Sequence, residues 1–349
     1  MKIHTGRFDE TEDEGNIKLD IKDKKILSLL SEDSRIPFSI VAKKVQLSRD
    51  GIQYRYERMK KLDIIKRGIP IVNLRKFGFH TFHVFMLLEE MEKEKQKELL
   101  REMIFHPNTK AIREFSDSWD IELVFIAETL KEMDKILTEI TQNHARIISQ
   151  KMKLQVIKGY NSMHLPYDVY GSIEKSFTWK DAKPKRKYIP DDKDRKLITK
   201  LALDCRVSTY ELGKLLKLSP DAISYRLKLL KESGIIRKYG LIVDLTKLHY
   251  HWFTFVMQVR TFTKDHEKRM EQFVRSHNMI LRSVKTLGNW DFMIDIVTQT
   301  RQQYHSTIKE IKSTFSDIIK NYETWVAYRE YYFDVFPVAA QKISGETTP

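Results

Sequence analysis

The chain has 349 residues, of which 41% are hydrophobic, and it carries a formal net charge of +14. This length allows two or three domains with cores of their own, and the single cysteine, Cys205, excludes an intrachain disulfide. No apolar run approaches the roughly 20 residues that span a bilayer, and the first residues lack the apolar centre of a signal peptide. We therefore expect a cytoplasmic globular protein without a membrane segment.

Two stretches of nearly the same sequence lie 171 positions apart. LSRDGIQYRYERMKKLDII occupies positions 47–65, LSPDAISYRLKLLKESGII occupies positions 218–236, and nine of the nineteen residues match. SWDIEL at 118–123 and NWDFMI at 289–294 keep the same offset. The constant offset predicts two copies of one unit of 147 residues, at 20–166 and 191–337.

The positive charge is concentrated in three stretches. Residues 20–67 carry 13 basic and 7 acidic side chains, residues 191–238 carry 12 and 7, and residues 167–190 carry 6 and 3. These stretches account for the whole excess, and the rest of the chain is balanced. Charge placed in this way favours a polyanionic partner such as nucleic acid. The alternative is an ordinary solvated surface, since lysine-rich helices are common.

Three short helices and a strand open each copy. In the first copy, DKKILSLLSED, SIVAKKVQL and the stretch after Ser48 have apolar residues at helical spacing, and IIKRGIPIVNL has the pattern of a strand. Ser48 and Ser219 are typical N-cap residues for the third helix. Gly234 is a typical helix stop, where the first copy has Asp63. This order predicts a winged helix-turn-helix at 20–75 and another at 191–246.

The third helix of each copy presents polar side chains opposite its apolar face. At about 100° per residue, Tyr54 and Tyr225 point outward, as does Leu229, whereas Leu227 belongs to the apolar face. Outward residues of a DNA-reading helix reach base edges, and flanking basic residues hold phosphates. The candidate DNA contacts are Ser48, Arg49, Gln53, Tyr54, Arg55, Arg58, Ser219, Ser224, Tyr225, Arg226 and Lys228. Alternatively, Arg55 and Arg226 pack their stems on the core, or the whole element serves protein contacts.

The rest of each copy has the order strand, helix, strand, strand, helix, strand, at 76–166 and 247–337. In the second copy the strands include YHWFTFVMQVR and WDFMIDIVT, and the helices include KDHEKRMEQFVRSH. The order predicts an α+β, ferredoxin-like βαββαβ domain with both helices on one face of an antiparallel sheet. Aromatic residues on the other face indicate that another such sheet covers it. Residues 1–19 and 338–349 are predicted to be tails, and residues 167–190 a basic linker.

Each copy resembles the Lrp/AsnC family of transcription regulators over its full length. LSPDAISYRLKLLKESGIIRKYG at 218–240 is similar to the recognition helix and following turn of the family, and LGNWDFMIDI at 287–296 resembles its Gly-x-x-Asp hairpin. The resemblance implies binding of double-stranded DNA and pairing of regulatory domains, within the chain or between chains. Fused copies that diverge imply an operator with two non-identical half-sites. The family usually has Arg where this chain has Tyr54 and Tyr225, so its operator preference is not carried over.

The resemblance also implies a small effector, most simply an amino acid, beside the hairpin. The effector-binding candidates in the second copy are Gly288, Asn289 and Asp291, because a residue without a Cβ lets a ligand approach the backbone. Asp120 holds the position of Asp291 in the first copy, where Asp117 replaces the glycine. We therefore expect one effector per chain, at the second copy.

An enzyme on the same architecture is the alternative function. Haem-pathway proteins that resemble sirohaem decarboxylases carry a characteristic His-containing stretch before the middle strands. Here HPNTKAIREFS and HNMILRSVKTL lack the Ser-His pair and leave His106 and His277 at helix ends, where capping is the alternative role. His249 and His251 share a strand face but have no third ligand for a metal. We expect no catalytic residue, metal or cofactor.

Overall fold

The computed structural model describes residues 6–10, 17–89, 93–162, 165–166, 169 and 187–342. The chain forms two compact units, and each unit takes segments from both copies. The first unit contains residues 1–18, 81–168 and 244–333, and the second contains residues 19–80, 169–243 and 334–349. Most of the predicted tails and linker lies outside the described residues. Among the described residues, no helix has the length and apolar character to cross a membrane.

The first copy contains five helices and five strands among its described residues. The helices are α1 (Ile21–Glu32), α2 (Phe38–Val45), α3 (Arg49–Lys61), α4 (Lys93–Phe105) and α5 (Leu130–Thr141). The strands are β1 (Ile65–Val72), β2 (His80–Leu88), β3 (Thr109–Phe115), β4 (Ile121–Ala127) and β5 (Ile148–Ser162). Short 3-10 turns lie at Leu74–Phe77 and Gln142–His144.

The second copy repeats this order. Its helices are α6 (Asp192–Leu203), α7 (Thr209–Leu216), α8 (Pro220–Glu232), α9 (Lys264–Ser276) and α10 (Arg301–Thr314), followed by the short α11 (Val338–Gln341). Its strands are β6 (Ile236–Val243), β7 (His251–Val259), β8 (Ile280–Gly288), β9 (Phe292–Thr298) and β10 (Ile319–Phe333). A 3-10 turn lies at Thr246–Leu248, and His249 ends it in the left-handed region, with φ of 59°. His249 therefore lies outside β7, and the predicted strand pair with His251 is wrong.

The second unit is built around a strand pair that joins the two copies. β1 and β6 form a two-stranded antiparallel sheet, in which Ile69 lies opposite Gly240. These two residues hold the same position in their copies, so an approximate twofold axis passes between them. Each predicted wing strand thus takes its partner from the other copy.

The first unit is a closed barrel of eight strands, four from each copy. The strand order is β10-β3-β4-β2-β5-β8-β9-β7. Each copy keeps the ferredoxin-like order of its own strands, and the barrel closes where β5 pairs with β8 and β10 pairs with β3. The predicted α+β fold is confirmed. The four strands from each copy form one half of the barrel, and the inner face of each half covers that of the other.

The barrel interior carries a buried ion network. The Arg113 Nε atom lies 2.7 Å from the Glu122 Oε2 atom, and the Arg282 Nε atom lies 2.7 Å from the Asp295 Oδ2 atom. Arg113 also lies 3.6 Å from Asp295 of the other copy, and His83 Nδ1 lies 2.5 Å from Glu122 Oε1. None of these five residues has an ionisable residue at its position in the other copy. His83 corresponds to Thr254, Arg113 to Val284, Glu122 to Met293, Arg282 to Ala111 and Asp295 to Val124. The network therefore has no symmetric counterpart. It needs the ionisable residues of the first copy together with those of the second.

Candidate nucleic-acid interface

The third helix of each copy is fixed by its cap and by its buried face. The Ser48 Oγ atom accepts a hydrogen bond from the Gly51 backbone N–H at 3.0 Å, and the Ser219 Oγ atom accepts one from the Ala222 N–H at 3.1 Å. Pro220 occupies the first turn of α8, where its missing N–H costs nothing. The two predicted serines are therefore N-caps, which leaves their hydroxyls at the exposed start of each helix.

The apolar faces differ in detail from the predicted ones. Ile52, Tyr56 and Met59 are buried in α3, as expected, but Leu227 of α8 is only half-buried. Leu229 was expected to point outward and is buried instead. The structure corrects that prediction and removes Leu229 from the solvent face.

Tyrosine dominates the outward face of both helices. The exposed fraction is 71% for Tyr54 and 57% for Tyr225, two residues at the same position in their copies. Gln53 and Arg49 are exposed beside Tyr54, and Ser224 is exposed but donates its hydroxyl to the Pro220 carbonyl at 2.9 Å. The geometry leaves both phenol rings available for a groove.

Arg55 and Arg226 each form ion pairs with two aspartates at the start of the first helix of their copy. The Arg55 Nη1 atom lies 2.7 Å from an Asp20 oxygen and 2.8 Å from an Asp23 oxygen, and these acids form the capping box of α1. Arg226 makes the same contacts with the acids at 191 and 194, at 2.9 and 2.8 Å. Hydrogen bonds to Asp23 and Asp20 raise the pKa of Arg55. These ion pairs compete with phosphate binding, and a phosphate contact by Arg55 or Arg226 stays a prediction.

Arg58 and Lys228 remain on the surface. Arg58 is 38% exposed, with its Nη1 atom 3.2 Å from Asp23. Lys228 is 72% exposed and lies 3.9 Å from Glu232. The exposed pair of Lys228 and Glu232 contributes about 0–1 kcal/mol, so Lys228 can exchange its carboxylate for a phosphate at little cost. The partner of Arg58, Asp23, is buried, so Arg58 is held more firmly.

Basic residues on the second helix of each copy were missed by the sequence reasoning. Lys43 and Lys44 are exposed at the end of α2, just before the turn at Gln46, which is left-handed with φ of 57°. The corresponding positions on α7 hold Lys214 and Leu215. The Lys-Lys pair beside a predicted turn was the signal that could have identified them.

The two helix-turn-helix surfaces differ in charge. Residues 38–61 carry seven basic and two acidic side chains, whereas residues 209–232 carry five and three. Both segments run from α2 or α7 through the third helix. The first copy is therefore the more cationic half.

The predicted effector position beside Gly288 is filled by the protein itself. Gly288 has φ of 142°, and a Cβ there would lie 2.4 Å from the Lys153 carbonyl oxygen and 2.8 Å from the Leu154 Cδ2 atom. Leu154 lies opposite Gly288 where β5 pairs with β8. The close approach that the glycine permits is made by strand β5, and this corrects the prediction of a ligand at that backbone.

The carboxylates of the hairpins are also engaged. The Asp120 Oδ2 atom accepts a hydrogen bond from the Leu88 N–H at 2.6 Å, and the Asp291 Oδ2 atom accepts one from the Val259 N–H at 2.8 Å. The Asn289 carbonyl accepts a bond from the Gln258 amide at 2.7 Å. These groups close the ends of β2 and β7, so the structure gives them a structural role.

The histidines at the helix ends also have protein partners. The Asn108 N–H points to His106 Nδ1 at 3.3 Å, and the Met279 N–H points to His277 Nδ1 at 3.1 Å. His277 Nε2 lies 2.7 Å from Glu310. The described residues contain no group of three or more His, Cys, Asp or Glu side chains that could hold a metal ion.

Comparisons with known proteins agree with this geometry. The AsnC-type helix-turn-helix domain matches residues 19–60 and again residues 191–231. The regulatory protein AsnC of Haemophilus influenzae is 28% identical over 137 residues, which cover 39% of this chain and 90% of that protein. The HTH-type transcriptional regulator FL11 of Pyrococcus furiosus is 26% identical over 125 residues, covering 36% of this chain and 82% of that protein.

Solved structures of a sirohaem decarboxylase are similar to this chain over both copies. The crystal structure of the sirohaem decarboxylase NirDL aligns with a TM-score of 0.58 and 13% identity, covering 89% of this chain and 92% of that one. At this identity the likeness shows the fold alone. The sequence relatives are transcription regulators, and their helix-turn-helix domain occurs here twice. The chain thus contains two AsnC-type helix-turn-helix domains, and it is similar in sequence to AsnC-type regulatory proteins over 39% of its length.

Proposed function

We propose that the protein regulates transcription by binding duplex DNA through both helix-turn-helix surfaces. One observation carries the proposal: Tyr54 and Tyr225 stand exposed at the same outward position of two capped helices, with basic residues beside them. A protruding helix with a central planar side chain and flanking cations is suited to a major groove, where base edges are read and phosphates are held. This activity would place the protein in the cytoplasm with the chromosome.

The two halves of the operator are proposed to differ. Tyr54 is flanked by Gln53 and Glu57, whereas Tyr225 is flanked by Ser224 and Lys228. The first surface is also the more cationic. Because sequence is read by side chains at these positions, two different sets favour two different half-sites, with the first half binding more tightly.

The experiment measures the affinity for a mixed-sequence duplex as a function of salt concentration. The test variant replaces Lys43 and Lys44 by Ala, and the matched control replaces Lys131 and Lys135, two exposed lysines on α5. We expect the test variant to lower the slope of log K against log salt by about 0.9 for each phosphate that the protein no longer neutralises, and the control to leave it unchanged. Equal slopes for the wild type and both variants would contradict DNA binding by this surface.

A non-catalytic role is part of the proposal, and a haem-pathway enzyme is the competing function. Because the structural similarity to NirDL covers both copies, binding of a haem-like ligand should be tested directly. The purified protein should be titrated with an iron porphyrin and its Soret absorption followed. We expect no saturable spectral shift. A stoichiometric shift would favour the enzyme.

The effector is retained as a proposal, but its place is moved. Since β5 fills the space against Gly288 and the hairpin carboxylates are bonded to backbone, a ligand in the first unit has to be held by other groups. A site with such groups is described below.

A further inference from the structure

The N-terminal segment Gly6–Glu10 lies along strand β10 of the second copy. The Glu330 N–H donates to the Phe8 carbonyl at 3.0 Å, and the Glu10 N–H donates to the Tyr328 carbonyl at 3.1 Å. The Phe8 ring stacks on Trp252 with 4.9 Å between centroids, and Phe8 is 1% exposed. The segment is thus held beside β10 by an isolated antiparallel bridge between Asp9 and Arg329, with Phe8 as a buried anchor.

Arg7 is bound through both its side chain and its backbone. Its Nε atom donates to the Glu330 Oε2 atom at 2.9 Å, and its Nη2 atom donates to the Oε1 atom at 2.6 Å. Its backbone N–H donates to the same Oε2 atom at 2.9 Å, and its carbonyl accepts a bond from the Leu245 N–H at 2.9 Å. The backbone N–H, the carbonyl and the guanidinium of one arginine are therefore recognised together.

The surroundings select a guanidinium over other cations. The carbon of the Arg7 guanidinium lies 4.2 Å from the Phe333 ring centroid and 4.8 Å from that of Trp252. A planar guanidinium can stack on such rings while its fork meets a carboxylate, and an ammonium cannot do both. The Glu330 side chain is fully buried, so a buried charge without a cation would be strongly unfavourable. Although Arg113 also acts on Glu330 electrostatically, the site favours a second guanidinium bonded to this carboxylate.

The first copy has no equivalent site. Gly159 stands where the second copy has Glu330, and Thr81 stands where it has Trp252. Neither the carboxylate nor the aromatic ring is present at these positions. Any ligand of this kind binds once per chain.

We propose that the place held by Arg7 is a binding site for free L-arginine, which competes with the N-terminal segment of the chain. The α-ammonium group of the ligand takes the place of the Arg7 N–H, its carboxylate accepts the bond from the Leu245 N–H, and its guanidinium meets Glu330. The site is formed within the first unit and does not depend on DNA binding, so the two proposals fail independently.

A single methyl group can empty the site without touching its recognition groups. A Cβ on Gly6 would lie 1.7 Å from the Glu330 carbonyl oxygen, so Gly6→Ala cannot keep the segment in place. Gly159→Ala is the matched control, because a Cβ there meets nothing within 4 Å. Calorimetry with the full chain should show one L-arginine bound per Gly6→Ala chain, and at least about tenfold weaker binding to the wild type and to the control.

The chemistry of the ligand is tested on the same variant. Adding Glu330→Gln to Gly6→Ala should weaken L-arginine binding by about tenfold or more, and L-citrulline, which is neutral, should bind as weakly. A synthetic peptide of residues 6–10 should displace L-arginine. Binding of the peptide without binding of free arginine would overturn the proposal and assign the site to the segment alone. Equal binding of arginine and citrulline would also overturn it.

A second variant decides the matter if Gly6→Ala does not fold. Arg7→Ala leaves the rest of the segment in place and the Glu330 carboxylate without its cation. We expect millimolar methylguanidinium to raise the melting temperature of Arg7→Ala but not that of the wild type, whereas methylammonium at the same concentration has no such effect. The absence of a rise with methylguanidinium would show that the site does not take a free guanidinium.

Discussion

The Oγ atom of Ser34 lies 2.7 Å from the Sγ atom of Cys205, and the two residues hold the same position in the two copies. Their side chains are buried beside the approximate twofold axis of the second unit. The next residue of each copy crosses over in the same way: Arg35 donates to the Val207 carbonyl at 3.0 Å, and Arg206 donates to the Ile36 carbonyl at 3.3 Å. The axis is thus lined by equivalent residues in contact.

Burial raises the pKa of the Cys205 thiol to about 12. The thiolate is the reactive form, so we expect Cys205 of the native protein to resist an aromatic disulfide reagent at pH 8 and to react fully once the protein is unfolded. The absorbance of the released thiol measures both. Rapid stoichiometric labelling of the native protein would contradict the buried contact.

Gly68 of β1 faces the same contact. A Cβ at this residue would lie 2.8 Å from the Cys205 Sγ atom and 3.3 Å from the Ser34 Oγ atom. Gly68→Ala should therefore lower the free energy of unfolding by about 1–3 kcal/mol, the usual cost of overpacking. Gly159→Ala, at an open strand position, is the control and should be close to neutral. Urea denaturation of both variants tests the difference, and equal stabilities would rule out a tight contact.

The buried ion network should behave as a coupled unit. Arg113→Val and Asp295→Val introduce the residues that Val284 and Val124 provide at the equivalent positions. Each single change leaves a buried charge without its partner and should cost about 3–5 kcal/mol of unfolding free energy. The double variant should cost less than the sum of the two, because the attraction between Arg113 and Asp295 at 3.6 Å is counted in both single variants but is lost only once. Additive costs in a denaturation cycle would show that the two residues do not interact.

The same network predicts a pH dependence. Burial lowers the pKa of His83 despite the nearby Glu122, and the positive charges of Arg282 and Arg113 act in the same direction. The unfolded chain binds a proton at this histidine near the ordinary pKa of about 6.5, whereas the folded protein resists it, so stability falls as the pH drops below that value. Compared with His83→Gln, the wild type should lose stability between about pH 7 and pH 5. Parallel curves for the two proteins would contradict a buried neutral imidazole.

Tyr54 should influence only one half of the operator. Selection of bound duplexes from a random pool, with the wild type and with Tyr54→Ala, should yield consensus sequences that differ in one half-site. Tyr225→Ala should change the other half, which makes the two variants controls for each other. A palindromic consensus shared by all three proteins would exclude the proposed asymmetry.

The sequence predicted the elements better than it predicted their partners. Helical spacing, the N-caps at Ser48 and Ser219 and the stop at Gly234 are local features, and the structure has each of them. Leu229 was misplaced because a regular 100° wheel cannot show which other parts of the fold cover the end of a helix. The sequence likewise could not predict which strand pairs with each edge strand. The alternation of apolar residues along a strand shows which face is buried, but it does not show which strand lies beside each edge.

The role of Arg55 was within reach of the sequence. Asp20, Asp23 and Arg55 recur together at 191, 194 and 226, and a charge triple kept in both copies is a signal of pairing. The N-terminal site had no such repeat, because Glu330 and Trp252 have no counterparts in the first copy. It is visible only where the folded chain brings residues from its two ends together.

The two places where the barrel closes, β5 with β8 and β10 with β3, join halves of one polypeptide. When two separate chains form such joints, they come apart once the protein is diluted below its dissociation constant. Here the local concentration of one half around the other is fixed by the covalent connection and does not fall on dilution. The two halves are then paired as completely when a cell holds a few molecules as when it holds many. The abundance of the protein sets how many operators are occupied, and it does not change the pairing of the halves.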